Sequence, residues 1–157
     1  MTSSPTHWLI RVGNGKNFWN SAPRGIWGIN SENYSRTKYF KKNAKNGDIL
    51  WFIQQNTDGQ AVAVATFTKT CARELGPLIS LTLSDEELYW KREKNQEKGW
   101  DTEVHYEKLY DIQSLELRTK NKDPGSIKEY KPEQIVCDLI SEYANIVRYS
   151  SVKALNL

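Results

Sequence analysis

The sequence is poor in the residues that most often carry metal or redox chemistry. Its 157 residues include two cysteines, two histidines and one methionine. Cys71 and Cys137 lie far apart, without the close pairing that marks zinc or redox sites, and read as buried thiols of a reducing compartment. His7 and His105 fall in separate strand-like segments, where a histidine satisfied by its surroundings is commoner than a ligand, so no metal and no cofactor is expected. No apolar run approaches the roughly 20 residues that cross a bilayer, which argues against a membrane protein. The opening "MTSSPTHWLI" lacks the basic region, long apolar segment and small-residue cleavage site of a secretion signal, so an intracellular location, cytoplasmic or nuclear, is expected. Also missing are a Ser-His-Asp order, a metal-ligand run and a glycine loop that cradles phosphate. The stretch "RVGNGKNF" is too short for a dinucleotide fingerprint and lacks its strand-to-helix setting. A binding module is expected rather than an enzyme.

Flat aromatic faces are abundant: six Trp and eight Tyr, in a chain with a net charge of +3. Such faces fill a core or stack on a ligand, and the charge permits contact with phosphate without demanding it. The length suits one domain with one full core, here taken as residues 1–157 with a core over about 7–147.

Along the chain, "HWLIRVG" alternates and ends in a Gly-Asn-Gly turn, which predicts a first strand over His7 to Val12. "KNFWNSA" is a short turn or helix, and "GIWGI" a second strand. "SENYSRTKYFKKNAKNGD" carries a charged helix with Tyr34, Tyr39 and Phe40 as candidates for its inner face, broken at Asn46-Gly47-Asp48. The near-continuous apolar run "ILWFIQ" predicts a strand covered on both faces. The Asp-Gly signal in "NTDGQ" returns it as "AVAVATFTKT", where Ala61, Ala63 and Ala65 share one thin face. "SDEELYWKREKNQEKG" is helix or loop, bordered by Trp90 and Trp100. "WDTEVHYEKLYDIQ" suggests another strand through Val104, Tyr106 and Leu109, and "RTKNKDPGSIKEYK" a polar loop turning at Pro124-Gly125. From Pro132, apolar residues at Ile135/Val136, Leu139/Ile140, Tyr143 and Ile146/Val147 predict a closing amphipathic helix. These elements favour an α+β fold, a small mixed barrel with helices against it.

The segment "GIWGINSENYSRTKYFKKNAKNGDILWFIQQNTDGQAVAVATFTK" resembles the EVE domain of the PUA-like superfamily. The resemblance rests on Trp27-Gly28, Asn33-Tyr34 with Arg36, Lys45 to Asp48, the apolar strand Ile49 to Ile53 and the small-residue strand Ala61 to Thr66, with alanine where that strand usually has glycine. The second half, "GWDTEVHYEKLYDIQ" followed by a polar loop and "KPEQIVCDLISEY", is similar to the related YTH domains. Together the likeness spans most of His7 to Tyr143 and implies a PUA-like mixed barrel of five or six strands flanked by helices. At one end it implies a pocket for a single flipped base of DNA or RNA, modified by methylation, with aromatic walls that sense the added apolar bulk. ASCH-type relatives carry a Gly-x-Lys-x-x-Glu-x-Arg pattern, of which "GNGKNFWNS" keeps the lysine alone.

By that resemblance Trp27 is one pocket wall, with Trp100 or Trp90 opposite; the rival reading for each is core packing. Asn17, with Asn14 as second choice, stands where the YTH pattern addresses the base edge, although asparagine beside glycine also suits a turn. Gly28 lets a base approach the backbone, and Asn30 and Ser31 follow the pocket strand, where helix capping competes. Trp8 and Trp51 read as core. Lys16, Arg24, Arg36, Lys38, Lys41 and Lys42 surround the pocket in sequence and are candidate phosphate contacts, against a solvated helix face. The expected partner is nucleic acid containing a modified base. At this length the chain leaves no room for an effector, so an effector protein is a further expected partner. A general PUA-type RNA binder and a protein-interaction domain are the alternatives.

Overall fold

A computed structural model of the chain describes residues 5–13, 15–29, 35–54, 59–72, 102–113, 116–118 and 127–133. They form six strands and two helices: β1 (His7–Arg11), α1 (Lys16–Ser21), a 3-10 turn (Ala22–Arg24), β2 (Ile26–Ile29), α2 (Ser35–Asn43), β3 (Ile49–Gln54), β4 (Gln60–Ala72), β5 (Thr102–Asp111) and β6 (Ile127–Tyr130). The strands make one mixed sheet in the order β2-β5-β4-β3-β1-β6, curled into a half-barrel. The β1–β3 pair is parallel and every other pair antiparallel. This is the α+β, barrel-like architecture that the sequence predicts. Among the described residues no helix is long and apolar enough to cross a membrane.

The apolar run of β3 is covered on both faces, as expected. Leu50 and Phe52 join the main core with Trp8, Ile10, Phe18, Phe40 and Phe67, while Trp51 and Ile53 join a second cluster with Leu9, Val64 and Ile112. The expected alanine face is broken. A register shift between Phe52 and Ile53 opposes them to Ala63 and Ala61, so Ala63 and Ala65 enter the first cluster and Ala61 the second.

In β5, Val104 and Tyr106 alternate inward, and then the strand takes an extra residue. Thr66 opposes Glu107 and Val64 opposes Tyr110, leaving Lys108 at φ 51° to absorb the bulge and return Leu109 to the core. The stretch expected as a polar loop contains β6, which pairs antiparallel with His7–Ile10 of β1. Its charged, short sequence suits an edge strand.

Helix α2 buries Thr37 and Phe40, with Ala44 packed behind them. Tyr39 departs from the expectation: lying about 100° around the helix from Phe40, it is 53% exposed and only leans on Trp8 at a ring separation of 6.0 Å. The break after α2 has a structural cause. Asp48 is buried, and its carboxylate accepts hydrogen bonds from the Trp8 indole (3.0 Å), the Thr6 amide (3.1 Å) and the Lys45 amide (3.0 Å). One side chain thereby ties β1, the end of α2 and the start of β3 together. On the other side of the sheet, Trp51 donates its indole N–H to His7 Nδ1 at 2.9 Å, which requires a neutral imidazole there. Burial lowers the His7 pKa, opposed by the nearby Asp48 charge.

Several expectations lie outside the described residues: Tyr34 on the inner face of the charged helix, the turn tip before Gly59, the segment 84–100, the Pro124-Gly125 turn, Cys137 and the closing helix beyond Glu133. Cys71 is a half-buried free thiol.

Candidate nucleic-acid interface

The corner formed by α1, the 3-10 turn and β2 is held by short local bonds. Ser21 donates its hydroxyl to the Ile26 carbonyl at 2.7 Å, Gly25 N–H bonds Ala22 O at 2.9 Å, and Tyr106 N–H bonds Gly25 O at 2.9 Å. Gly25 has φ 67°, and a Cβ there would stand 2.5 Å from the Tyr106 carbonyl oxygen. Only glycine fits that approach, so its first role is to let β2 close on β5.

Trp27 leaves this corner in register with Val104 of β5 and is 8% exposed. Its ring meets Phe18 of α1 edge-on, at 6.0 Å and 68°. Phe18 in turn contacts Trp19 at 4.8 Å, Phe52 at 4.5 Å and Tyr106 at 6.2 Å. The arrangement is the aromatic part of the main core, running from Phe52 of β3 to the edge strand β2, with Trp27 its outermost strand residue. Within it the Tyr106 hydroxyl is fully buried and finds no hydrogen-bond partner among the described residues, and burial pushes its pKa up. Neither Phe18 nor Tyr106 stands out as a site residue in the sequence; the alternation of β5 places Tyr106 inward, but its proximity to α1 depends on the curl of the sheet.

Asn17 is half-buried in α1, one residue before Phe18. Gly28 is buried in β2 opposite Glu103. Trp90, Trp100, Asn14, Asn30 and Ser31 lie outside the described residues. On the strand next to Gly28, Glu103 is buried and its Oε1 sits 2.9 Å from His105 Nε2. Among the described residues no group of three His, Cys, Asp or Glu side chains is placed to hold a metal ion.

The basic candidates divide into two groups. Lys16 and Arg24 are exposed beside the aromatic corner, while Arg36, Lys38, Lys41 and Lys42 are exposed on α2. Lys38, Lys41, Lys42 and the exposed Lys45 recur in sequence at i, i+3, i+4 and i+7, the first three on one face of α2 and Lys45 two residues past its end. Among the described residues none of these four, nor Arg24, makes an ion pair. Lys45 is absent from the candidates read from the sequence, although the spacing contains it.

No family model matches the chain, and no curated protein sequence does. Solved structures do. The MmI1 YTH domain is 16% identical over 90% of this chain and 98% of its own, with a TM-score of 0.50. The Pho92 YTH domain, solved in complex with m6A, is 17% identical over 91% of this chain and 85% of its own, also at 0.50. An ASCH protein from Zymomonas mobilis, solved as a point mutant, is 12% identical over 86% of this chain and 96% of its own, at 0.49. At these identities the likeness is one of fold, and that fold is shared with YTH domains; the EVE likeness rests on the sequence motifs.

Proposed function

We propose that the chain is a nucleic-acid-binding reader module that takes a flipped, methylated base of RNA or DNA into an aromatic pocket. Trp27 forms one wall and Trp100 or Trp90 the other, with Asn17 or Asn14 addressing the base edge and Gly28, Asn30 and Ser31 lining the approach. The observation that carries this reading is a tryptophan at the start of β2, backed by Phe18, in a chain that shares its fold with a YTH domain solved with m6A. Aromatic stacking on a base is worth roughly 1–3 kcal/mol, so two walls supply much of the affinity. Lys16, Arg24, Arg36, Lys38, Lys41 and Lys42 supply the remainder by contacting phosphates. The residues involved are rings, amides and lysines, which bind and orient rather than cleave, and the output is recruitment of an effector protein or masking of the base.

A second reading has its own support. The lysines of α2, unpaired among the described residues, suit a general RNA binder indifferent to modification. The two separate in one titration: short single-stranded and duplex oligonucleotides carrying methylated adenine, methylated cytosine, hydroxymethylated cytosine or no modification, at two salt concentrations. The reader prefers one modification at both salts. The general binder shows no preference, and its salt slope becomes shallower by roughly 0.7 for each phosphate that Lys41→Ala/Lys42→Ala releases. Absence of binding to every oligonucleotide rejects both.

A further inference from the structure

At the α2 end of the sheet lies a cleft of about 420 Å³ that no part of the aromatic corner lines. Buried Trp8 and Asp48 and half-buried Thr6 line it together with exposed Tyr39, Asn43 and Asn46. Lys45 and Glu129 stand on its rim. Three features define what fits it. Tyr39 is the one large exposed hydrophobic side chain among the described residues, a free stacking face at the mouth. Asn43 donates its amide N–H to the Tyr39 carbonyl at 2.8 Å and Asn46 donates to the Thr68 carbonyl at 3.4 Å, which leaves both side-chain oxygens to accept. Asp48 is occupied by its three donors, so its charge is spent within the protein.

A ligand here is a flat ring carrying N–H donors. Charge selects among such ligands: Lys45 on the rim and Lys38, Lys41 and Lys42 on the neighbouring α2, unpaired among the described residues, outnumber Glu129 and so repel an arginine-bearing peptide and attract a polyanion. We infer that the cleft is a second nucleotide subsite, in which a base several nucleotides along the strand from the read base stacks on Tyr39, its exocyclic amine donates to Asn43 and Asn46, and its phosphate meets Lys42 and Lys45. This inference rests on the nucleic-acid-binding reading and adds to it a second point of contact.

The topology puts the two points within reach of one strand. Gly47 N–H bonds Phe67 O and Asn46 bonds Thr68 O, while Trp27 pairs with Val104, itself paired with Thr70, so both sites sit at the same end of β4. Along the curled sheet β1 and β2 are four strand spacings apart, about 19 Å of contour at roughly 4.8 Å each. A trimer centred on the read base does not cover that distance; a 12-mer does.

The test uses fluorescence anisotropy of the full chain with a trimer and a 12-mer, each with one central methylated adenine. Tyr39→Ala is expected to weaken 12-mer binding by roughly 5- to 150-fold and to leave the trimer unchanged. Tyr39→Phe, which keeps the stacking face, is expected to retain 12-mer affinity. Asn43→Ala gives a smaller loss, again on the 12-mer alone. The subsite is overturned if the wild-type chain binds the 12-mer and Tyr39→Ala binds it equally well, or if Tyr39→Ala weakens trimer and 12-mer alike. It is equally overturned if an arginine-rich peptide, and no oligonucleotide, binds in a Tyr39-dependent way. Failure of the wild-type chain to bind either oligonucleotide is a different result, because it removes the reader itself and the subsite with it.

Discussion

Replacing Asp48 with alanine removes an acceptor that three donors share. The Trp8 indole N–H is the costly one: Trp8 is 1% exposed and without Asp48 its donor has only water drawn in from the cleft to turn to, so stranding it costs about 1–3 kcal/mol. The Thr6 and Lys45 amides are partly buried and recover some hydration, so each adds about 0.5–1 kcal/mol. The expected loss is about 2–5 kcal/mol, a large share of the ordinary stability of a domain this size. Asp48→Asn keeps one acceptor oxygen but turns an N–H₂ toward at least one donor, so it falls between alanine and wild type. Urea unfolding followed by far-UV circular dichroism measures both. A double-mutant cycle with Trp8→Phe isolates the indole bond, with an expected coupling above about 1 kcal/mol. The reasoning is refuted if Asp48→Ala costs less than about 1 kcal/mol, or if its cost is the same in the Trp8→Phe background.

Three further outcomes follow from the packing. Tyr106→Phe removes a buried hydroxyl without a partner among the described residues and is expected to raise stability by about 1 kcal/mol in the same urea assay; a loss above about 1 kcal/mol means the hydroxyl is bonded. Gly25→Ala forces a side chain to φ 67° and into the Tyr106 carbonyl, so a loss of about 2 kcal/mol or more is expected from thermal unfolding, and a neutral result contradicts the geometry. His7 has a lowered pKa, hence the unfolded chain binds its proton first as pH falls. The stability that neutral His7 contributes is complete above pH 6.5, its unfolded value, declines as pH drops through 6.5 and levels off below the folded pKa. In His7→Asn, where an amide oxygen takes the place of Nδ1, unfolding midpoints at pH 7.5 and 5.5 are expected to differ less than in wild type; an unchanged difference assigns the pH dependence elsewhere.

What the sequence made legible was governed by local pattern. "ILWFIQ" announced a strand buried on both faces because five consecutive large apolar residues between two turn signals are the length of a strand and too short for a buried helix, and the bulge at Phe52/Ile53 was invisible because it arises from pairing. "IKEY" passes for loop because an edge strand keeps its charges, and its inward signals are a single residue on each face, Ile127 in the main core and Tyr130 against Trp51. Hydrophobicity alone puts Tyr39 inside, yet the inner stripe of α2 belongs to Thr37, Phe40 and Ala44, and Tyr39 lines the cleft instead. For the site, Trp27 stands out from the glycines beside it, but Gly25 serves the approach of β2 to β5, a tertiary fact. Charge alone picks out the phosphate candidates on α2; Lys45 lies past the end of the helix, and its place beside the cleft depends on the Asp48 bonds that fix that break.

The central claim is that Trp27 reads a modified base, and the most direct measurement is a ratio. The dissociation constants of one single-stranded oligonucleotide with and without a methylated adenine are compared for wild type, Trp27→Phe and Trp27→Ala, with the folded fraction of each variant taken from its urea unfolding curve. The account predicts a wild-type preference for the methylated form, reduced in Trp27→Phe and abolished in Trp27→Ala, while the unmodified oligonucleotide binds all three with similar affinity through the lysines. A folded Trp27→Ala that keeps the wild-type preference contradicts it and leaves Trp27 with its core packing alone.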